Sequence, residues 1–312
     1  MKFSAFTIMT ADWTVEETAQ QLKRLGLDGV AWRVVDQQMS DTPSSHVGNR
    51  STWPLTGLES RLPEMAQLRD ETGLEIAALY GYAGWSDHHT VERLVRACSV
   101  LKVKTCRVLA PRLPQLGRVP YDEHLQRSKE DWTWIAECAR GFGVRVVTPL
   151  HHGWVNASAS AARRMLDGLP PNDVGIIVDW GCLAREGWED PLATVQILGP
   201  YLDSVMLKNY GIYPSRKRGD GSVIWEHRPE PLQTGRVDIP NVFAALNADG
   251  FDGWVTLAEI TAKMTTRDRV ADALAFAKAA AQSTKDARAE AWIYDGALVG
   301  GRWGRLSPGE AL

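Results

Sequence analysis

The 312-residue sequence predicts an α/β protein folded as a (β/α)8 TIM barrel, a single domain with a C-terminal extension. Three observations carry this. Short apolar or β-branched runs alternate with longer amphipathic stretches, the alternation repeats eight times, and glycine stands at several of the helix-to-strand junctions.

Taken in order, the strands fall near 2–8, 28–34, 74–80, 104–110, 144–150, 174–179, 203–208 and 253–259. The helices between and after them fall near 14–25, 57–72, 90–101, 121–141, 158–167, 190–198, 239–248 and 266–282. Helix starts are marked at Thr14-x-x-Glu17 and Thr56-x-x-Glu59, where each side chain can satisfy a free backbone N–H of the first turn. Helix ends are marked by Gly26, Gly73, Gly143 and Gly250, because the residue past a helix end is often left-handed and only glycine takes that shape without strain. The sixth strand, Val174-Gly175-Ile176-Ile177-Val178, is apolar throughout, as a parallel strand covered on both faces should be. An open doubly wound sheet is the alternative, but no glycine-rich phosphate fingerprint follows the first strand.

Two segments exceed the barrel minimum. Residues 209–236, after the seventh strand, read as a long loop on the catalytic face. The barrel is expected over 1–283; the extension 284–312 contains Trp292, Tyr294 and Trp303 and is expected to pack on the barrel or on a second subunit, which makes a homo-oligomer one expected assembly.

Composition narrows the function. With 35 basic and 38 acidic side chains the chain has a net charge of −3 and no extended basic surface, which argues against nucleic acid as a partner. No apolar run is long enough for a membrane span or a signal peptide, so a cytoplasmic protein with no membrane partner is expected. Cys98, Cys106, Cys138 and Cys182 lack CxxC spacing, which argues against a zinc site and for reduced, mostly packed thiols.

In such a barrel, polar residues at the C-terminal strand ends are the site candidates. Asp179, His152, Lys208 and Glu259 are the expected catalytic groups: an imidazole, an ammonium and carboxylates converging on one mouth can move protons and stabilise an oxyanion. Asp179 also reads as a helix cap, Lys208 as a salt-bridge partner and His152 as a structural histidine. His151 and His152 are adjacent, so an extended backbone sends them opposite ways, and only one faces the barrel axis. Trp32, Tyr80, Arg112, His151, Trp154, Trp180 and Asn209 are the expected substrate contacts, the tryptophans offering faces for sugar rings.

Over residues 2–282 the chain resembles the xylose isomerase-like barrel superfamily of sugar phosphate isomerases and epimerases. The stretches that carry the resemblance are Leu25 to Val30, Val174 to Asp179, Pro200 to Lys208, Gly235-Arg236-Val237-Asp238 and Phe251-Asp252-Gly253-Trp254-Val255. The resemblance implies a divalent metal held by glutamate, aspartate, histidine and glutamate from the fifth to eighth strands. Here Asp179 matches the aspartate, but Leu150, Met206 and Ala258 stand at the other three positions, and Ala31 stands where the second strand often ends in glutamate. Leucine and methionine do not hold hard cations. The implied metal site is therefore degenerate.

Three functions follow as expectations. One is a sugar or keto-sugar isomerase or epimerase, or second a lyase, abstracting a proton next to a carbonyl without a metal; its base would be His152 or Asp179 and its enolate partner Lys208. Another keeps Mn, Mg or Zn on a shifted set of Asp179, His152 and Glu259. The last is a non-catalytic sugar-binding protein. DNA-repair nucleases share this barrel type but need more histidine and glutamate ligands than the chain supplies with seven histidines.

Overall fold

The computed structural model describes residues 1–113 and 118–286. Its framework is a closed parallel barrel with helices outside. The strands are β1 (Lys2–Phe6), β2 (Gly29–Val34), β4 (Glu75–Gly84), β5 (Thr105–Leu109), β6 (Arg145–Pro149), β7 (Val174–Asp179), β8 (Leu202–Leu207) and β11 (Trp254–Leu257), with a two-residue β3 (Thr52–Trp53) alongside β2. Each pairs in parallel with its neighbour in the order β1-β11-β8-β7-β6-β5-β4-β2, and β1 pairs with β2 as well as β11. That double pairing closes the cylinder and removes the open-sheet alternative.

The surrounding helices are α1 (Val15–Arg24), α2 (Leu58–Thr72), α3 (His88–Leu101), α4 (Tyr121–Phe142), α5 (Ala159–Leu166), α6 (Trp180–Leu183), α7 (Pro191–Leu198), α8 (Ile239–Asp249) and α9 (Thr266–Asp286). The expected cap of α1 forms: Thr14 accepts from Glu17 N while the Glu17 carboxylate accepts from Thr14 N. Gly26, Gly73, Gly143 and Gly250 all have positive φ, as their positions past helix ends require. The capping box at Thr56 does not form. Thr56 donates through both N and Oγ1 to Asp36, and left-handed Gly57 caps α2 without a side chain. A carboxylate distant in sequence has outcompeted the local partner.

Residues 209–236 are also not a plain loop. They fold mostly into an antiparallel hairpin, β9 (Asn209–Lys217) with β10 (Val223–Glu230). Asn209 secures its base, donating from Nδ2 to the carbonyls of Leu232 and Val237 at 2.9 Å each and accepting at Oδ1 from Tyr210 N and Val237 N. The expected packing of the aromatic tail lies on residues 287–312, outside the described residues. No helix among the described residues is long and apolar enough to cross a membrane.

Alternation along the strands divides the core in two. The larger cluster, including Trp32, Leu79, Cys106, Val146, Ile176 and Val205, lies between strands and helices. The smaller one, Phe6, Ile8, Ala31, Ala78, Tyr80, Val147, Ile177, Met206 and Ala258, fills the cylinder, with Tyr82 and Ile260 packed against it.

Candidate functional site

The same alternation sends Arg33, Tyr82, Asp179 and Lys208 toward the C-terminal mouth, two residues beyond inward-facing Ala31, Tyr80, Ile177 and Met206. Asp179 Oδ2 lies 2.6 Å from Lys208 Nζ, and both side chains are almost out of solvent, at 3% and 12% exposure. Asp179 Oδ1 accepts from Cys182 N at 3.0 Å, capping α6. The carboxylate is thus held from two sides. Burial alone would lower the Lys208 pKa, but the Asp179 charge beside it, aided by Cys182 and Tyr210, raises it above the ordinary lysine value. Lys208 is a fixed cation at neutral pH. Of the two expectations for Lys208, the salt bridge forms.

After β6 the chain leaves the extended conformation, and turning at residues 152–153 it brings both imidazoles to one side. Their rings stack 4.2 Å apart, 23° from parallel, and His151 stacks in turn on Trp154 at 4.4 Å. The expectation that only one histidine could reach the site fails because strand alternation ends where the turn begins. His151 Nδ1 is hydrogen-bonded to the His152 carbonyl at 2.8 Å, whereas His152 Nδ1 is buried without a partner. Burial lowers both pKa values. For His152, with His151, Arg185 and Lys208 adding repulsion, it falls to about 4. Both rings are neutral at pH 7.

Arg33 and Arg107, deep in the same mouth, are only 4% and 5% exposed. Arg107 lies over the rings of Phe6, Tyr80 and Tyr82 at 5.1, 4.9 and 4.5 Å and donates to the Gly81 carbonyl; Arg33 lies over the Tyr82 ring at 5.0 Å. Tyr82 is therefore flanked by two guanidinium groups. Burial would raise its phenol, but Arg107 and Arg33 outweigh burial and bring the pKa below the ordinary tyrosine value.

The remaining expected residues stand elsewhere. Trp32 is in the outer core, edge-on to Trp53 at 5.9 Å, so its neighbour Arg33 is the one that faces the mouth. Trp180 is fully buried in the same layer, and Trp154 offers one face to His151. Tyr80, 1% exposed, is part of the packing beneath the mouth; burial takes its pKa up to about 12. Arg112 is exposed on the loop after β5, where its backbone bridges to Trp154. Asn209 spends its amide on the hairpin. Ala258 takes the inward position at the end of β11, so Glu259 turns outward toward Arg269 and Asp272 of α9, where Oε2 accepts from Leu232 N and Oε1 has no partner. Burial raises its pKa to about 7.

These positions also test the implied metal. Ala31, Met206 and Ala258 all point into the inner cluster, Leu150 belongs to the outer core, and Lys208 occupies the Asp179 carboxylate. The family's oxygen-rich ligand set does not fit. Nor does the shifted set, since Glu259 is on the far side of its strand. Among the described residues one group has metal-binding donors close together: His151, His152 and Cys182, within 4.8 Å of one another. Cysteine spacing could not have revealed it. Burial, followed by the Asp179 charge, pushes the Cys182 thiol up to about 12, and Lys208 adds a fixed positive charge beside it. A second cation there would face that repulsion. A cleft of about 490 Å³ opens at the opposite, N-terminal end of the barrel, lined by two ion pairs, Arg140 with Asp173 and Arg145 with Asp203, and by Lys104.

Comparison with known proteins places this geometry in context. Residues 19–280 match the family described as "Xylose isomerase-like TIM barrel". No curated protein matches the sequence. The fold is similar to that of the 3-keto-D-glucoside 4-epimerase YcjR from E. coli, at 17% identity and a TM-score of 0.66, covering 89% of this chain and 99% of that one. It is similar to an L-ribulose 3-epimerase at 11% identity and a TM-score of 0.68, covering 94% and 99%. The IOLI protein with a binding zinc atom is similar at 14% identity and a TM-score of 0.67, covering 91% and 99%. At these identities the likeness is one of fold.

Proposed function

This chain belongs to the xylose isomerase-like TIM barrel family, and from that membership we propose that it is an isomerase or epimerase of a small carbohydrate-like molecule, moving a proton at the carbon next to a carbonyl without a bound divalent metal. The observation that carries the reading is the buried Asp179–Lys208 pair at 2.6 Å. It puts a permanent positive charge against the one carboxylate that matches the family's ligand set.

In the proposed reaction a neutral imidazole, His152, removes the proton from carbon; its pKa near 4 keeps it unprotonated at pH 7. The C–H electron pair becomes a C=C bond, the carbonyl π pair moves onto oxygen, and Lys208 balances the charge developing there. A proton taken from water on the other face of the same carbon, while His152 releases the abstracted proton to solvent, gives the epimer; return of the proton from His152 to the neighbouring carbon, with the hydroxyl proton passing to the former carbonyl oxygen, gives the isomer. Loss of a hydroxyl from the next carbon would give elimination, which product analysis distinguishes. The sugar epimerases of the same fold support the choice of substrate class.

The test is turnover of keto-sugars and aldoses by the full chain, with and without chelator, beside Asp179→Asn/Lys208→Met, which removes both charges together. Chelator-insensitive turnover, absent from a folded double variant, is the expected result. Turnover lost to chelator and restored by Mn, Mg or Zn would overturn the metal-free reading, with His151, His152 and Cys182 the residues to examine. Sugar binding without product after long incubation would indicate a binding protein instead.

A further inference from the structure

Arg33 and Arg107 make an unusual pair of buried cations. Among the described residues neither has a carboxylate within ion-pair distance, although thirteen other such contacts form. Arg33 instead donates to Gln37 Oε1, Thr52 Oγ1 and the His46 carbonyl, and its Nε is buried with no acceptor. Arg107 has a single carbonyl, Gly81, and three aromatic faces, and the neutral Tyr82 hydroxyl is a further hydrogen-bond partner of both arginines. Neutral acceptors and ring faces hold a guanidinium in place without neutralising it. An isolated charge is costly to bury, and proteins normally pair it. Asp179, which faces the same mouth, is already paired with Lys208.

From this imbalance we infer that the mouth of the barrel binds an oxyanion, so that the substrate is an acidic carbohydrate carrying a carboxylate or phosphate group which Arg33 and Arg107 receive. The inference rests on the preceding reading only in taking the mouth as the substrate site. Arginine suits the task because its planar fork matches carboxylate and phosphate geometry. Tyr82, between the two cations, supports it further. Its phenol is shifted toward the anionic form, as a site short of negative charge would shift it. The oxyanion end would be anchored toward β2 and β5, leaving the carbon chain to extend toward Lys208 and His152 across the mouth.

Calorimetry on the full chain tests this with three probes: D-glucuronate for the carboxylate, D-glucose 6-phosphate for the phosphate, and D-glucose as the neutral control. At least one acidic probe should bind about tenfold or more tightly than glucose. That preference should weaken as salt rises and disappear in Arg107→Gln or Arg33→Gln. The wild-type comparison needs no variant, so a misfolded arginine variant leaves the test intact. Equal affinity for glucose, or no saturable binding of either acidic probe, overturns the inference. The folded Asp179→Asn/Lys208→Met protein separates the two proposals. Acid preference retained there without any turnover by wild type would sink the enzymatic reading alone, and wild-type turnover of neutral sugars with no acid preference would sink this one alone.

Discussion

Met206 stands directly beside Asp179 in the ladder between β7 and β8. The charge opposite the Asp179 carboxylate comes from Lys208, two residues beyond Met206 along the chain. The charge beside Asp179 is supplied by a side chain, and the first prediction follows from that pairing.

Removing one partner of the pair leaves the other charge buried and alone. Lys208→Met should lower unfolding free energy by about 3–5 kcal/mol, and adding Asp179→Asn should recover most of it, because asparagine keeps the acceptor that caps α6. Urea denaturation of the wild type and the variants measures this. Equal stability of single and double variants would contradict it.

His152 should set the acid limb of the pH–rate profile. Its pKa is lowered from 6.5 to about 4, so the unprotonated base persists well below the ordinary imidazole range and kcat/KM should fall only as pH approaches 4. A limb near 6.5 would show that another group, or an unshifted histidine, is the base.

Glu259 works in the opposite sense. Its folded pKa of about 7 lies above the ordinary 4.5, so between these values the folded protein keeps a proton that the unfolded chain has released. Stability contributed by the neutral carboxyl is complete below pH 4.5 and is lost as pH rises through 7. Glu259→Gln should flatten that slope and leave the protein about 1–3 kcal/mol more stable at pH 8. Thermal unfolding across pH 4–8 reads the difference; parallel curves would refute it.

Asn209→Ala should release the base of the hairpin. Four hydrogen bonds go, and the carbonyls and amides they satisfied stay buried, so about 3 kcal/mol or more of stability is at stake. Hydrogen exchange should quicken over 209–237 first. Unchanged protection there would mean the hairpin is held by other contacts.

The barrel was legible from sequence because its signals are local: Thr14 and Glu17 cap a helix three residues apart, and Gly250 ends another. The site was legible only in outline. Asp179 and Lys208 are visible as polar residues closing apolar strands, but their pairing spans two strands, and no spacing rule joins them. A one-residue error in register separates Trp32, which packs outward, from Arg33, which faces the mouth. Tyr82, which the sequence places at the end of its strand together with Tyr80, faces the same side two residues on, because β4 runs to Gly84. Arg107 sits inside a strand and so escaped a search confined to strand ends. Cys182 joins the histidines through the turn of α6, which a four-residue helix announces by no period of its own.

Under the Arg107 guanidinium, Phe6 and Tyr80 close the floor of the mouth, with Val147, Ile177 and Met206 packed in the same inner cluster. The molecule is consequently a cup and not a tube. Whatever enters over the rim must leave over the rim, past the segment carrying His46 on one side. Incoming and outgoing molecules compete for one doorway, and nothing can be handed through to the cleft at the other end.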